Sequence, residues 1–139
     1  MVTARPVTVI MQTLNVTAAI IERGSEILIA QRLKGSHMGL KWEFPGGKIE
    51  PGESPEECLM REIKEELDLD IRVGDRMMVV DHQYEKIRVI LHCYRCSYLG
   101  GEAKKKDCQD FQWVARRDLK SFDFAEADRP VVRYLYSNT

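Results

Sequence analysis

Three glutamates at helical spacing are the part of the sequence with the clearest chemical meaning. Glu62, Glu65 and Glu66 occupy positions i, i+3 and i+4, which places their side chains on one face of a helix. Like charges in the last helical turn oppose one another and the helix dipole, at a cost of about 1 kcal/mol. A hard divalent cation such as Mg²⁺, which binds carboxylates, water and phosphate oxygens, would remove that cost. The alternative is a solvated acidic face in which Arg61 pairs with Glu65.

The helix that contains these glutamates has a well-defined predicted start. Ser54 is the expected N-cap, Pro55 occupies the first helical position, and Glu57 completes a capping box. Apolar residues that recur every fourth position mark the face expected to pack on the core: Leu59, Ile63 and Leu67. Just upstream, Gly46 and Gly47 permit a close approach of backbone to a phosphate or a metal. Taken alone, the glycine pair is better explained by a tight turn.

The remaining elements predict an α/β fold. Two nearly continuous apolar runs, Leu14–Glu22 and Glu26–Arg32, flank a short polar turn and indicate a hairpin buried on both faces. Residues 1–13 are expected to form an arm or a first strand, and residues 33–40 a loop. Further strands are predicted at Lys41–Phe44, Met77–Tyr84, Arg88–Tyr98 and Phe111–Val114, and a last helix at Ala125–Tyr136. This order predicts a mixed β-sheet sandwiched between α-helices.

Composition limits the class of protein. A chain of 139 residues with 44% apolar and 31% charged residues fits one compact domain spanning residues 1–139. A net charge of −1 gives no electrostatic basis for binding a nucleic acid polymer. The apolar stretch 7–21 is too polar to span a membrane and does not follow a signal-peptide pattern, so a cytoplasmic location is expected.

The four cysteines are expected to be buried, reduced thiols rather than metal ligands. Cys93 and Cys96 form an isolated CxxC pair, which is weak support for zinc without a second pair. They also lie in a predicted strand, where an offset of three residues directs their side chains to opposite faces.

The chain resembles the Nudix hydrolase family. The resemblance rests on Gly47-Lys48-Ile49-Glu50-Pro51-Gly52-Glu53, then seven residues, then Arg61-Glu62-Ile63-Lys64-Glu65-Glu66, which is similar to the Nudix box. One position departs from the family pattern, since Asp68 replaces a glycine that we interpret as a left-handed helix C-cap. Trp42–Glu50 further resembles MutT-type and CTP-type pyrophosphohydrolases, and a weaker similarity extends over residues 14–136.

The resemblance implies a Nudix fold and Mg²⁺-dependent hydrolysis of a nucleoside triphosphate to a monophosphate and pyrophosphate, with Mn²⁺ as the alternative ion. The metal ligands it implies are the Gly46 carbonyl and the side chains of Glu62, Glu65, Glu66 and Asp107. Glu62 is our preferred general base. Glu65 adds a ligand or positions a water molecule, and Arg61 is expected to position Glu65 or Glu53 rather than to contact the substrate. For Asp107 a simple loop carboxylate remains the alternative.

The substrate contacts implied by the resemblance are Arg32, His37, Glu43, Phe44, Pro45, Gly46 and Asp128. Arg32 is the expected phosphate or ribose contact, and Phe44 packs against the base or belongs to the core. Asp128 is the candidate specificity residue, because an ionised aspartate only accepts hydrogen bonds and suits an amino-bearing edge such as cytosine, unless the carboxyl group is protonated. Its alternative role is N-cap of the last helix, with Pro130 in the first turn.

The expected substrates are therefore oxidised or cytidine-type nucleotides. Tyr84 keeps a diadenosine polyphosphate hydrolase, or another hydrolase of linked nucleoside diphosphates, as an alternative. The ADP-ribose branch is disfavoured, because no proline occurs between Pro55 and Pro130. A non-catalytic nucleotide-sensing module is the alternative of another class, although all the box carboxylates are present. Both a monomer and a homodimer remain open.

Overall fold

Six strands rich in β-branched residues form one sheet, which lies between two helices. The computed structural model describes residues 11–138. The strands are β1 (Gln12–Arg23), β2 (Glu26–Gln31), β3 (Trp42–Glu43), β4 (Asp70–Gln83), β5 (Ile87–Gly100) and β6 (Asp110–Ala115). The helices are α1 (Pro55–Leu67) and α2 (Arg129–Ser137), and 3₁₀ helices occupy Arg116–Ser121 and Glu126–Asp128. None of the described helices is long and apolar enough to cross a membrane.

The sheet is mixed, as the sequence predicts. Strands run in the order β3-β2-β1-β5-β4, and β6 pairs with β2. β1 and β5 are parallel over their length, whereas the other pairs are antiparallel. The β1–β2 hairpin closes at Gly24, whose φ of 60° is readily adopted by glycine. The loop 33–40 and the short strand β3 also follow the prediction.

Hydrophobic cores cover both faces of the sheet. Consecutive residues of β1, such as Ile20 and Ile21, are fully buried and belong to different cores because strand side chains alternate between faces. The buried face of α1 contributes Leu59, Ile63 and Leu67 to one core, and α2 contributes Val131, Val132 and Leu135 to the other. The two-sided burial of β1 predicted from the sequence is therefore confirmed.

The cysteines follow the prediction of buried thiols. All four are free and buried. Cys93 lies in the core under α2 and Cys96 in the core under α1, so the two are on opposite faces of β5 and do not form a shared metal site.

Helix α1 begins and ends as predicted. Ser54 accepts from the Glu57 N–H, and the Glu57 side chain accepts from the Ser54 N–H. Asp68 adopts φ 57° and ψ 38°, and its N–H donates to Lys64 O. The aspartate that replaces the family's glycine therefore occupies the left-handed conformation expected of that cap.

Three predicted boundaries are wrong. β4 begins at Asp70 rather than at Met77, because the register shifts near Gly74 accommodate residues that are rare in strands. The last helix begins at Arg129 rather than Ala125, since a 3₁₀ turn precedes it. β1 begins at Gln12, so residues 12 and 13 belong to that strand; residues 1–10 of the predicted arm lie outside the described residues.

Candidate active site

The glycine pair brings the loop after β3 into contact with β1 and α1. The N–H of Thr17 donates to Gly47 O at 2.8 Å, and that of Ala19 to Pro45 O at 2.7 Å. A Cβ atom on Gly46 would lie 2.0 Å from the Thr17 carbonyl oxygen, and one on Gly47 would lie 2.4 Å from the Glu62 carboxyl carbon. The backbone of β1 therefore excludes any side chain at Gly46, whereas a side chain at Gly47 would displace the Glu62 carboxylate that lies against the loop.

Arg61 organises the carboxylates beside this loop. Its guanidinium binds both oxygens of Glu53, at 2.7 and 3.0 Å, and donates to Glu62 Oε1 at 2.8 Å. The contact with Glu65 is longer, at 3.4 Å. Hydrogen bonds from Arg61 and from the Glu50 backbone lower the pKa of Glu53 to about 2. Of the two carboxylates predicted as partners of Arg61, Glu53 is thus the one held by two short hydrogen bonds.

A cavity of about 240 Å³ opens beside α1 and is rich in carboxylates. Its acidic lining residues are Glu43, Glu62, Glu66 and Asp107, and Gly46 and Arg32 also contribute. Burial, together with the charges of Glu43, Glu62 and Asp107, raises the pKa of Glu66 to about 9. The pKa of Glu62 is also raised, chiefly by burial.

Glu65 does not join the other two helix glutamates in this cavity. It is absent from the lining, and its side chain is 62% exposed. The three glutamates share one side of α1, but only Glu62 and Glu66 are directed towards the glycine loop and Asp107.

The donor set fits a hard divalent cation. Residues 11–138 contain no group of three or more His, Cys, Asp or Glu side chains already gathered at metal-binding distances. The cavity nevertheless gathers three half-buried carboxylates and the exposed Asp107, and the charges of its neighbours raise the pKa of Glu66. The Glu62 carboxylate lies in contact with the glycine loop. Oxygen ligands with excess negative charge are those that Mg²⁺ and Mn²⁺ prefer.

A second cavity, of about 210 Å³, adjoins the first. Its walls are mostly apolar, and they include Leu14, Val16, Phe44, Val89, Leu91 and Ala125. Arg32, Glu43 and Gly46 line both cavities. We call the two spaces the apolar cavity and the carboxylate cavity.

Arg32 and Glu43 form an ion pair at the junction of the two cavities. Arg32 Nη1 lies 2.7 Å from Glu43 Oε1, and Arg32 Nε donates to the carbonyl oxygen of His37 at 2.7 Å. Burial raises the pKa of Glu43, and the positive charge of Arg32 opposes that shift. Arg32 therefore joins the ends of β2 and β3 to the loop 33–40 at the point where the cavities meet.

Asp128 lines the apolar cavity, and its side chain is not a helix cap. The residue is 7% exposed, and Oδ1 accepts from the Phe44 N–H at 3.1 Å. Although Asp128 is in the N-cap position of α2, its side chain makes no capping hydrogen bond. Burial, followed by the charge of Glu43, raises its pKa to about 8. Asp128 therefore occupies the predicted N-cap position without capping the helix through its side chain, and a pKa of about 8 favours the protonated carboxyl group at pH 7.

The other predicted substrate residues lie in different surroundings. His37 is exposed and lines the apolar cavity. Phe44 is 2% exposed, stacks on Phe124 with ring centroids 5.2 Å apart, and lines the same cavity. Pro45 is buried and lines neither cavity, so it shapes the loop through its carbonyl bond to β1.

Two residues with no assigned contact in the sequence analysis help to build the site. Thr17 is 1% exposed and donates through Oγ1 to Gly47 O at 3.1 Å; the only sequence signal is a polar residue within an apolar strand. Tyr84 lines the apolar cavity next to Asp128. The sequence analysis places it as the last residue of a predicted strand, one residue beyond the observed end of β4, but gives no indication that this strand ends at the cavity.

Comparisons with known proteins agree with this geometry. Residues 16–134 match the family model of the NUDIX domain. The chain is 39% identical over 117 residues to a putative 8-oxo-dGTP diphosphatase 2 of Mycobacterium tuberculosis, with 82% of each chain covered. It is 38% identical over 124 residues to the CTP pyrophosphohydrolase of Escherichia coli, which covers 88% of this chain and 90% of that one.

A solved structure shows the same fold. The solution structure of the DNA mismatch repair protein MutT from methicillin-resistant Staphylococcus aureus superimposes with a TM-score of 0.75 at 33% identity. The match covers 94% of this chain and all of that one. Because the family match and these relatives each span most of the chain, the chain belongs to the Nudix family of hydrolases and is a MutT-like pyrophosphohydrolase.

Proposed function

We propose that the protein is a Mg²⁺-dependent nucleoside triphosphate pyrophosphohydrolase that acts on oxidised or cytidine-type nucleotides. The observation that supports this most directly is the junction at Arg32, Glu43 and Gly46, which belong to both cavities. A nucleotide with its base in the apolar cavity can direct its phosphates past this junction into the carboxylate cavity. The names of the relatives, an 8-oxo-dGTP diphosphatase and a CTP pyrophosphohydrolase, support the two substrate classes.

The proposed cation is held by Glu62, Glu66 and Asp107 together with the Gly46 carbonyl, with Glu65 at the margin. When bound, Mg²⁺ or Mn²⁺ supplies charge neutralisation at the phosphate oxygens and favours deprotonation of water. This assignment fits a cavity in which the carboxylates otherwise repel one another.

Glu62 is the proposed general base. Its carboxylate lies against the Gly47 backbone and is fixed by Arg61 at 2.8 Å. In the reaction, a water oxygen bonds to phosphorus, its proton passes to Glu62, and the anhydride bond between the α- and β-phosphates breaks. The products are a nucleoside monophosphate and pyrophosphate. Arg61 is a positioning residue in this scheme, because its short contacts are with carboxylates.

Neutral Asp128 widens the range of bases that fit. Its Oδ1 already accepts from Phe44, and a protonated carboxyl group also offers one O–H donor. It can therefore present a donor and an acceptor, as an asparagine does. The preference for cytosine expected from an ionised aspartate no longer holds at neutral pH, and we retain both oxidised and cytidine-type nucleotides as substrates.

A hydrolysis panel with Mg²⁺ tests the proposal. It contains CTP, dCTP, 5-methyl-dCTP, 8-oxo-dGTP, dGTP, diadenosine tetraphosphate and ADP-ribose, with pyrophosphate and orthophosphate measured separately. Pyrophosphate from a cytidine nucleotide or from 8-oxo-dGTP supports the proposal and selects the substrate class. Activity confined to diadenosine tetraphosphate or ADP-ribose contradicts the substrate assignment within the family. Tight nucleotide binding without any product identifies a sensing module instead.

A further inference from the structure

Tyr84 is fixed at the wall of the apolar cavity by contacts on three sides. Its ring makes edge contacts with His82, at 4.5 Å between centroids, and with His37, at 5.6 Å. Its N–H donates to Ile87 O at 2.8 Å, where the chain turns from β4 towards β5. The hydroxyl group accepts from the Ala127 N–H at 3.2 Å. The side chain is therefore held in one orientation before any nucleotide binds.

The hydroxyl group of Tyr84 retains an unused donor. A phenolic hydroxyl has one hydrogen and two lone pairs, and the Ala127 N–H occupies a lone pair. Within residues 11–138, that N–H is the only hydrogen-bond partner of the hydroxyl group. Burial raises the pKa of Tyr84 above its ordinary value, so the hydroxyl is protonated at neutral pH. The half-buried O–H group therefore forms a further hydrogen bond when a ligand places an acceptor atom beside it.

The location of Tyr84 indicates which part of a ligand it meets. Tyr84, Ala127 and Asp128 line the apolar cavity and not the carboxylate cavity. If the phosphates of a nucleotide lie in the carboxylate cavity, its base lies in the apolar cavity beside these three residues. The hydroxyl of Tyr84 lies against the Ala127 N–H, and the Asp128 charge helps to raise the pKa of Tyr84, so the two side chains line neighbouring parts of the cavity.

We propose that Tyr84 is a specificity-determining residue whose hydroxyl group donates a hydrogen bond to an acceptor atom of the nucleobase, beside Asp128. This inference rests on the proposed function, because it assumes that the apolar cavity holds the base of the substrate. The Tyr84 hydroxyl and the Asp128 carboxyl group together select bases by the donors and acceptors on their edge. Tyr84 supplies a donor in either protonation state of Asp128.

The test compares Tyr84→Phe with Glu126→Gln. Tyr84→Phe removes the hydroxyl and keeps the ring. Glu126→Gln alters a different contact with the 3₁₀ turn, in which His82 Nε2 of β4 lies 3.2 Å from Glu126 Oε2. Glu126 does not line the apolar cavity. If Tyr84 only stabilises the 3₁₀ turn, Glu126→Gln should have the same effect as Tyr84→Phe, so it serves as the control.

We expect Tyr84→Phe to raise KM for the preferred triphosphate about ten-fold, the effect of one hydrogen bond, with kcat within about two-fold of wild type. The preference among CTP, dCTP, 8-oxo-dGTP and dGTP should shrink by a similar factor. Glu126→Gln should keep the wild-type preference. An equal loss for every nucleotide, a similar change in both variants, or an unchanged KM in Tyr84→Phe would overturn the inference while leaving the proposed hydrolysis intact.

Equilibrium binding separates failure of this inference from failure of the proposed function. If the wild-type protein hydrolyses none of the triphosphates, binding of CMP and 8-oxo-dGMP is measured by calorimetry. Binding that is about ten-fold weaker in Tyr84→Phe, and unchanged in Glu126→Gln, supports the contact without the reaction. Equal binding by wild type and Tyr84→Phe, or no binding by the wild-type protein, overturns it.

Discussion

The Oδ1 atom of Asp128 accepts a hydrogen bond from the backbone N–H of Phe44 at 3.1 Å, across 84 residues of sequence. This bond fixes a buried carboxyl group on the wall of the apolar cavity. Because burial and the charge of Glu43 raise its pKa to about 8, the group is neutral at pH 7. An aspartate at this position therefore presents the same kinds of polar atoms as an asparagine until the pH approaches 8.

The first prediction concerns Asp128→Asn and pH. Unfolded Asp128 ionises above about 3.8, whereas the folded residue stays protonated to about 8, so wild-type stability contributed by this group falls as pH rises between those values. The asparagine side chain of the variant does not ionise. The unfolding free energy of the variant minus that of wild type should increase from pH 4.5 to pH 8 and then level off.

Urea unfolding at pH 4.5, 6, 7.5 and 9 measures this difference. Nucleotide preference should be the same in both proteins at pH 6.5 and should differ at pH 9, where wild-type Asp128 has lost its donor. A stability difference that does not vary with pH would show that Asp128 ionises normally in the folded protein.

The second prediction compares two glutamates of α1. Glu62→Gln should lower kcat by about 100-fold or more, because the proposed base is lost. Glu65→Gln should have a much smaller effect, since Glu65 is exposed and lies outside the carboxylate cavity. Steady-state kinetics with saturating Mg²⁺, together with circular dichroism to verify the fold, make the comparison. Near-normal turnover in Glu62→Gln would remove that residue from the role of base.

The third prediction separates the two glycines of the loop. In Gly46→Ala the new Cβ meets the Thr17 carbonyl at 2.0 Å, and backbone atoms of β1 must move. We expect a loss of about 3 kcal/mol or more in unfolding free energy. In Gly47→Ala the Cβ meets the Glu62 carboxylate at 2.4 Å, which can rotate away. This variant should remain folded while kcat falls.

Thermal unfolding and kinetics of both variants test that distinction. The midpoint of unfolding should drop by about 10 °C in Gly46→Ala and by much less in Gly47→Ala. Full activity in a stable Gly47→Ala protein would contradict the proposed position of Glu62 in the reaction.

The fourth prediction concerns acid stability. The hydrogen bonds from Arg61 lower the folded pKa of Glu53 to about 2 from 4.5. The stability contributed by this pair is therefore present above pH 4.5 and is lost as the pH falls towards 2. Glu53→Gln should be less stable than wild type at pH 6, and the difference should shrink steadily as the pH falls from 4.5 towards 2.

A double-mutant cycle checks that the effect belongs to this pair. In an Arg61→Gln background, the change Glu53→Gln should alter the unfolding midpoint at pH 6 far less than it does in wild type. An equal effect in both backgrounds would assign the pH dependence to other carboxylates.

Local features were predictable from the sequence. The start of α1 was correct because a capping box depends on four adjacent residues. The left-handed Asp68 was correct for the same reason, since helix ends are determined by their nearest residues. β1 was assigned from a continuous apolar run. The run is continuous because the two faces of this strand pack into two different cores.

Features that depend on distant contacts were not predictable. The first half of β4 contains Gly74 and Asp75, and it is a strand because β5 pairs with it across irregular register. The raised pKa of Asp128 results from burial and from the charge of Glu43, which is far away in sequence. Helical spacing placed Glu65 with Glu62 and Glu66, but only the structure shows which of them line the cavity. The substrate and metal roles of these residues stay predictions.

Separate measurement of pyrophosphate and orthophosphate from CTP and 8-oxo-dGTP tests the central claim most directly. The assay uses wild-type protein with Mg²⁺, wild-type protein with excess chelator, and Glu62→Gln with Mg²⁺. We predict one pyrophosphate for each monophosphate formed from at least one of the two nucleotides, in the first sample only. Orthophosphate as the product, turnover that persists in the chelator, or no turnover of either nucleotide would contradict the proposed function.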